Sequence, residues 1–201
     1  MLKNISYVQA LLLFILFIFI CPPAYSAEAP NEASFVGSEG CKCHKSEIAD
    51  WETSKHAKAF NLLKAGKSKS KKKKAGLDPD KDYTADEKCI PCHVTGYKKD
   101  GGFIDIVSTA GMAGVACEAC HGPGSKYRTL HKDKSLVFTK NEAIALGAHY
   151  GSQDQAVCDR CHKHKDNPFK AAIDEKYNFL HDEALKKTRS FHDYYEMDGK
   201  H

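Results

Sequence analysis

The sequence predicts a mainly α fold of short helices and irregular loops, with at most one small β-hairpin. Helical periodicity occurs only in short stretches between glycine- and lysine-rich segments, and no regular repeat or alternation of strands and helices is present. Aliphatic residues are sparse after the N-terminal segment, whereas the 201 residues include nine cysteines and eleven histidines. So thin an apolar core needs another source of stabilisation.

The N-terminal segment, residues 1–26, is typical of a secretory signal peptide. Lys3 supplies a positive charge, residues 11–20 form an apolar run, and Ala24 and Ser26 give the small residues that signal peptidase requires. An uncleaved membrane anchor is the alternative, but the run is shorter than the roughly 20 residues of a spanning helix. We therefore expect residues 27–201 to form one domain in the periplasm or an equivalent exported compartment, without stable membrane insertion after cleavage.

The elements of the N-terminal half follow in order. Residues 44–65 carry apolar side chains from Ile48 to Leu63 at near-helical spacing, which predicts an amphipathic helix. Six lysines then crowd residues 66–76 between two glycines, which predicts a solvated, flexible loop. Residues 95–104, with the sequence Thr95-Gly96-Tyr97-Lys98-Lys99-Asp100-Gly101-Gly102-Phe103-Ile104, are the candidate for the small hairpin.

The C-terminal half is predicted to contain further short helices. A sharp turn at Gly122-Pro123-Gly124 precedes a helical stretch that runs to His131. A short helix is predicted at 141–146 and another around Cys158 and Cys161. Residues 182–195 are predicted to form a longer terminal helix.

The eight cysteines beyond residue 26 form four close pairs, and a histidine follows each pair at once. The pairs with their histidines are Cys41/Cys43 with His44, Cys89/Cys92 with His93, Cys117/Cys120 with His121, and Cys158/Cys161 with His162. Disulfides, zinc sites and iron–sulfur sites are the alternatives, but none of them requires histidine at the next position. Chance places a histidine after all four pairs with odds on the order of one in a hundred thousand, whereas C-x-x-C-H is the attachment signature of c-type haem. The pattern predicts four covalently bound c-type haems.

Covalent haem attachment explains both the spacing and the thin core. Two thiols three residues apart on a helical turn lie on one side, where they can add to the two vinyl groups of a porphyrin, and the next histidine can bind the iron. Each haem is a large apolar body around which short helices can pack. The predicted fold is thus a set of short helices and loops packed around four haems, and no constellation for nucleic-acid binding or hydrolysis is present.

The first motif is irregular because a single residue, Lys42, separates Cys41 from Cys43. Cys41 is thereby rotated away from the side of the turn that carries Cys43. We expect His44 and Cys43 to hold the first haem, with Cys41 bonded only if Gly40 lets the backbone distort. The alternative is that no haem is attached at this motif.

The sequence between the motifs carries a more specific likeness than the motifs themselves. It includes Cys43-His44-Lys45 with Trp51, His56-Ala57-Lys58-Ala59, Leu77-Asp78-Pro79 with Lys81-Asp82-Tyr83-Thr84, and Cys120-His121-Gly122-Pro123-Gly124. From about residue 40 to 199 the chain resembles the tetrahaem cytochrome c-554 family, multihaem c-type cytochromes associated with hydroxylamine oxidation.

The resemblance implies three haems with two histidine ligands each and one five-coordinate haem. It implies that His56 is the distal ligand of the fourth haem, His131 that of the first and His192 that of the third. The five-coordinate site would be the second haem, at His93. The segment after the fourth motif is shorter than in the family, so a further histidine such as His181 can close that sixth position.

The resemblance also implies a function and redox partners. The chain would carry electrons from an octahaem hydroxylamine oxidoreductase-like donor to a membrane cytochrome or quinone reductase. Ligation by two histidines leaves no open iron position, which suits electron transfer rather than substrate binding. The lysine run is a candidate for docking on an acidic partner, with a solvated linker as the alternative. A second hypothesis is reduction of nitric oxide or another small nitrogen oxide at an open iron beside His93.

Overall fold

A computed structural model of the chain describes residues 32–130, 132, 136–149 and 151–188. Its α-helices are α1 (Lys45–Thr53), α2 (Lys69–Lys74), α3 (Cys117–His121), α4 (Lys140–Ala145), α5 (Gln155–His162) and α6 (His181–Thr188). Short 3-10 turns connect them at Ser38–Cys41, Phe60–Leu63, Ile90–Cys92, Ala110–Met112, Tyr127–Thr129, Gly151–Gln153 and Glu175–Tyr177. Within the described ranges the only β pairing is one antiparallel bridge between Val94 and Ala113. The predicted mainly α fold of short helices and loops is confirmed.

The helix predicted over residues 44–65 is wrong in its second half. α1 ends at Thr53, and Ser54 takes an extended backbone with φ −71° and ψ 164°. Ser54 is buried, and its hydroxyl accepts the backbone N–H of Ala57 at 3.1 Å. This bond offers the backbone an alternative to the helix, which periodicity alone does not reveal. The following apolar residues form the separate turn Phe60–Leu63.

Residues 69–74 of the lysine run at 66–76 form α2, where the sequence predicts a flexible loop. Lys72 explains the difference, since it is buried and its Nζ donates to the carbonyl oxygen of Lys64 at 2.8 Å. The same Nζ lies 5.0 Å from the centroid of the Tyr83 ring. Burying the lysine stem while satisfying its ammonium group anchors α2 to the rest of the chain.

The predicted hairpin at 95–104 is a compact loop without strands. The backbone N–H of Phe103 donates to the carbonyl of Thr95 at 3.0 Å. Gly102 lies directly on Gly96, because a Cβ at Gly102 would stand 1.9 Å from the Gly96 carbonyl oxygen. So close an approach permits only glycine at position 102.

The apolar core surrounds this loop and the second cysteine pair. It consists of Phe60, Leu63, Tyr83, Ile90, Val94, Phe103 and Met112. The rings of Phe60 and Phe103 lie 5.5 Å apart at 50°, a tilted arrangement that aromatic pairs favour. Thr95 is fully buried beside them, and its hydroxyl donates to Gly114 O at 2.9 Å and accepts from Ala116 N at 2.8 Å.

The C-terminal elements agree with the sequence only in part. Among the described residues of the helical stretch predicted to run to His131, only Tyr127–Thr129 form a turn, of the 3-10 type. α4 matches the predicted helix at 141–146 to within one residue at each end and begins with a capping box between Thr139 and Glu142. α6 begins at His181, while residues 189–195 of the predicted terminal helix, like the signal segment 1–26, lie outside the described residues. No helix in the described ranges has the length and apolar character needed to cross a bilayer.

Candidate haem-binding sites

The third and fourth cysteine pairs lie on α-helices. α3 is the third motif itself, and α5 ends with the fourth motif at Cys158, Cys161 and His162. Asp154 caps the N-terminus of α5, because its carboxylate accepts the backbone N–H of Ala156 at 2.9 Å. Helical geometry puts the two thiols of each pair on one side of the turn with the histidine next to them, as attachment to a porphyrin edge requires.

The second cysteine pair lies on a tighter turn. Cys89 caps the 3-10 turn Ile90–Cys92, and the backbone N–H of His93 donates to Ile90 O at 2.8 Å. Residues three apart eclipse one another on a 3-10 turn, so the two thiols again lie on one side. This pair therefore has the same donor arrangement as the helical motifs.

His93 is prepared to bind iron. Its Nδ1 lies 2.7 Å from the carbonyl oxygen of Ala59, so Nδ1–H donates and Nε2 keeps its lone pair. Burial, partly offset by this bond, lowers the pKa of His93 and favours the neutral imidazole that ligates metals. Among the described residues the His93 ring contacts no second imidazole. The side chain is therefore suited to bind a haem iron through Nε2.

His56 and His162 face one another. Their ring centroids are 6.2 Å apart with 72° between the planes. Two imidazoles on opposite sides of one metal ion, each at a bond length of about 2 Å, have ring centres about 6 Å apart. Burial lowers the pKa of His56, and Phe179 stacks on His162 at 4.2 Å. The spacing fits a haem iron held between the two rings, the pairing that the resemblance implies.

The other predicted ligands are placed as follows. His44 directly precedes α1, and His121 ends α3 with the backbone of Gly151 against its ring, where a Cβ at Gly151 would lie 3.0 Å from Cε1. His131 and His192 lie outside the described residues. Sequence reasoning missed the neighbour His149, whose backbone N–H donates to the backbone carbonyl of His121 at 2.8 Å. No sequence signal distinguished His149 from the other spare histidines.

Thiols of different motifs approach one another. The Cys41 and Cys117 thiols are close enough to raise the pKa of Cys41 and lower that of Cys117, and Cys92 and Cys161 affect each other in the same way. Burial raises the pKa of Cys120 to about 11, and the neighbouring Cys158 adds to the shift. All eight cysteines in the described ranges are free thiols. In the same ranges no three Cys, His, Asp or Glu side chains form a group that could hold a metal ion.

Glu118 joins the third motif to the segment that leads into the first. Its buried carboxylate accepts Val36 N at 2.9 and 3.0 Å, Gly37 N at 2.7 Å and Gly124 N at 2.7 Å. Charge-assisted bonds to backbone N–H groups are among the stronger hydrogen bonds in proteins. Glu118 therefore holds residues 36–37 against the third motif, a role that its position between two cysteines does not reveal.

Short helices that present paired thiols, each pair followed by an imidazole, define a c-type cytochrome. A family model described as cytochrome c554 and c-prime matches residues 40–122. Cytochrome c-554 of Nitrosomonas europaea is 34% identical over 187 residues, which cover 84% of this chain and 79% of that protein.

A solved structure of cytochrome c554 from the same organism, in the reduced state, matches the fold with a TM-score of 0.73. At 34% identity it covers 84% of this chain and 89% of that one. The chain belongs to the cytochrome c-554 family. It is thus a c-type cytochrome, an electron carrier with covalently bound haem.

Proposed function

We propose that the chain is a periplasmic tetrahaem cytochrome whose residues 27–201 form one domain after the signal segment 1–26 is removed. The observation that carries the proposal is the proximity of thiols from different motifs. Cys41 lies near Cys117, Cys120 near Cys158, and Cys161 near Cys92, each pair close enough for one thiol to shift the pKa of the other. The attachment points therefore form one series in the order first, third, fourth, second.

The residues of this chain would hold the four haems as follows. The six cysteines of the three regular motifs and Cys43 would form thioethers, with Cys41 as the irregular case. His44, His93, His121 and His162 would be the proximal ligands. His56, His131 and His192 are the distal ligands of the fourth, first and third haems. Each haem, when bound, supplies one iron that cycles between the ferric and ferrous states. The chain contributes the imidazole ligands and the short separations between attachment points.

The number of bound haems tests the proposal directly. We expect the intact mass of the mature protein purified from a host with a cytochrome c maturation system to equal residues 27–201 plus four haems. A visible spectrum of c-type haem should accompany it. A protein with fewer haems, or a colourless one with bound zinc, would contradict the tetrahaem assignment. A mass that retains residues 1–26 would contradict signal cleavage without affecting the haem count.

The proposed donor is an octahaem hydroxylamine oxidoreductase-like protein and the proposed acceptor a membrane cytochrome or quinone reductase. The structure reduces the lysine run to three candidates for docking. Lys72 is buried, and Lys69 and Lys74 form ion pairs with Asp80 and Asp174. The side chains of Lys67, Lys71 and Lys73 are exposed and form no ion pair within the described residues. Their charges remain available to an acidic partner.

Stopped-flow electron uptake from the donor tests this docking surface. Reversing the charge at Lys67, Lys71 and Lys73 to Glu should slow association about tenfold at low salt, because steering depends on these charges. The difference should shrink as ionic strength rises. A matched reversal at Lys55, Lys88 and Lys99, also exposed, controls for net charge. Equal slowing by both triple variants would show that only net charge matters.

A second candidate function is reduction of nitric oxide at the haem attached through Cys89, Cys92 and His93. The observation that favours it is that the His93 ring, unlike His162, contacts no second imidazole among the described residues. Two nitric oxide molecules would take two electrons and two protons to give nitrous oxide and water. A high-spin electron paramagnetic resonance signal, a spectral change with carbon monoxide and steady nitric oxide consumption would support this function. A wholly low-spin protein that is inert to carbon monoxide would exclude it.

A further inference from the structure

Arg160 connects the fourth motif to the third. It lies between the two cysteines of the fourth motif, near the end of α5, and its Nη2 donates to the backbone carbonyl of Ala119 at 2.7 Å. Ala119 in turn lies between the two cysteines of the third motif, in α3. One guanidinium group thus links the two segments that are expected to attach the third and fourth haems.

The sequence of α3 explains why this carbonyl accepts a donor from another helix. In a continuing helix the Ala119 carbonyl would accept the N–H of residue 123, but that residue is Pro123, which has no N–H. α3 also ends at His121, so the carbonyl belongs to its last turn. Arg160 therefore satisfies a carbonyl at the C-terminal end of α3, where a positive charge is favourable.

A second hydrogen bond fixes the guanidinium on its own helix. Arg160 Nε donates to the carbonyl oxygen of Val157 at 3.3 Å. The adjacent carboxylate of Asp159 pairs with Lys163 at 3.3 Å, and Arg160 forms no ion pair within the described residues. The positive charge of Arg160 is thus held at a defined place between the motifs without an acidic partner there.

This charge acts on sulfur atoms of both motifs. Burial raises the pKa of Cys120 and that of Cys158, and the Arg160 guanidinium opposes the shift at each thiol. The carboxylates of Asp159 and Asp154 add to the shift at Cys158. A thioether joins each sulfur directly to a porphyrin, so the field of Arg160 would extend to both haems. Reduction of a ferric haem adds one negative charge, which a nearby positive charge stabilises.

We propose that Arg160 is a positioning residue shared by the third and fourth haems, which holds their attachment motifs together and raises the reduction potentials of both. The inference rests on the proposed attachment of these two haems. Each iron takes up one electron from the proposed donor, and Arg160 stays protonated throughout. In the proposed series these haems are the central pair, so the charge favours electrons at the centre.

A potentiometric titration of the haem-loaded mature protein tests the inference, with each haem assigned by proton nuclear magnetic resonance. Arg160→Gln keeps a hydrogen-bond donor but removes the charge. Because Arg160 is exposed, solvent screens part of its effect. We expect the equilibrium constants for reduction of the third and fourth haems to fall about three- to tenfold, which equals roughly 28–59 mV for a one-electron couple.

Two matched variants separate the local charge from other effects. Arg160→Lys retains the charge and should shift each potential by less than half as much as Arg160→Gln. Lys99→Gln removes the same charge at an exposed position in the loop after the second motif and should leave the third and fourth haems unchanged. Unchanged potentials in Arg160→Gln would overturn the inference. An equal shift in Lys99→Gln would also overturn it, because net charge alone would then act.

The remaining outcomes distinguish the inference from the proposed function. Equal shifts in Arg160→Gln and Arg160→Lys would show that the charge is not responsible and would overturn the inference. If Arg160→Gln binds fewer haems than the wild type, Arg160→Met gives the same comparison, and loss of haem from both would assign Arg160 to assembly alone and overturn the effect on potential. A wild-type protein without haem at the third or fourth motif would contradict the proposed function itself.

Discussion

Replacing Glu118 with Gln tests the clamp between the third motif and residues 36–37. Each carboxylate oxygen serves two of the four hydrogen bonds, so the amide leaves either Gly37 N–H or Gly124 N–H facing another donor. Bonds to a charged acceptor contribute about 1.5–3 kcal/mol each, and a buried donor without a partner costs about 1–3 kcal/mol. One bond lost and the others weakened should lower the free energy of unfolding by about 2–4 kcal/mol.

The assay is denaturant unfolding of the haem-loaded protein, followed by far-ultraviolet circular dichroism. Glu87→Gln is the matched control, because Glu87 pairs with Lys98 at the exposed surface and its loss should cost less than about 1 kcal/mol. Hydrogen exchange adds a local measurement, since the amides of Val36 and Gly37 should exchange faster in the Glu118 variant. Equal destabilisation by both variants, with unchanged exchange at these amides, would refute the reasoning.

Two further predictions concern the core and the acid range. Thr95→Val removes the hydroxyl that pairs with two buried backbone groups and should lower the free energy of unfolding by about 1–3 kcal/mol. The control Thr129→Val, at an exposed threonine, should change the free energy of unfolding by less than half as much. Equal effects of the two substitutions would contradict the role of burial. Hydrogen bonds from Lys176 and Lys74 hold the pKa of Asp174 below its ordinary value, so its stabilising contribution is complete above the unfolded pKa of about 3.9 and is lost as the pH falls. Asp174→Asn should therefore unfold with a shallower dependence on pH below about 4, and an unchanged acid unfolding curve would contradict this assignment.

The chemistry of this chain could be predicted from sequence because the attachment signature is local. The histidine after each cysteine pair indicated haem without any knowledge of tertiary structure. α4 could also be predicted from the sequence, because Thr139 and Glu142 form a local capping signal that the structure contains. Features that depend only on residues close together in the sequence could thus be predicted.

The missed features depend on contacts between distant segments. Apolar spacing continued past Ser54, so only the buried Ser54 hydroxyl, visible in the structure, explains the helix end. Only the family resemblance predicted that His56 lies near His162, because the sequence between the two residues does not indicate how far apart their rings are. The role of Glu118 likewise depends on residues 36–37, more than eighty positions away.

The lysines of α2 have two different roles, one internal and one at the surface. Its burial and its bond to Lys64 O make this residue part of the scaffold, whereas Lys71 and Lys73 on either side lie at the surface. Substitution at the flanking positions alters the electric field around the protein without removing an internal contact. If the proposed docking surface is correct, selection can adjust affinity for a redox partner at Lys71 and Lys73 while Lys72 stays fixed. Among relatives, drift in charge beside one invariant lysine would be the evolutionary signature of this arrangement.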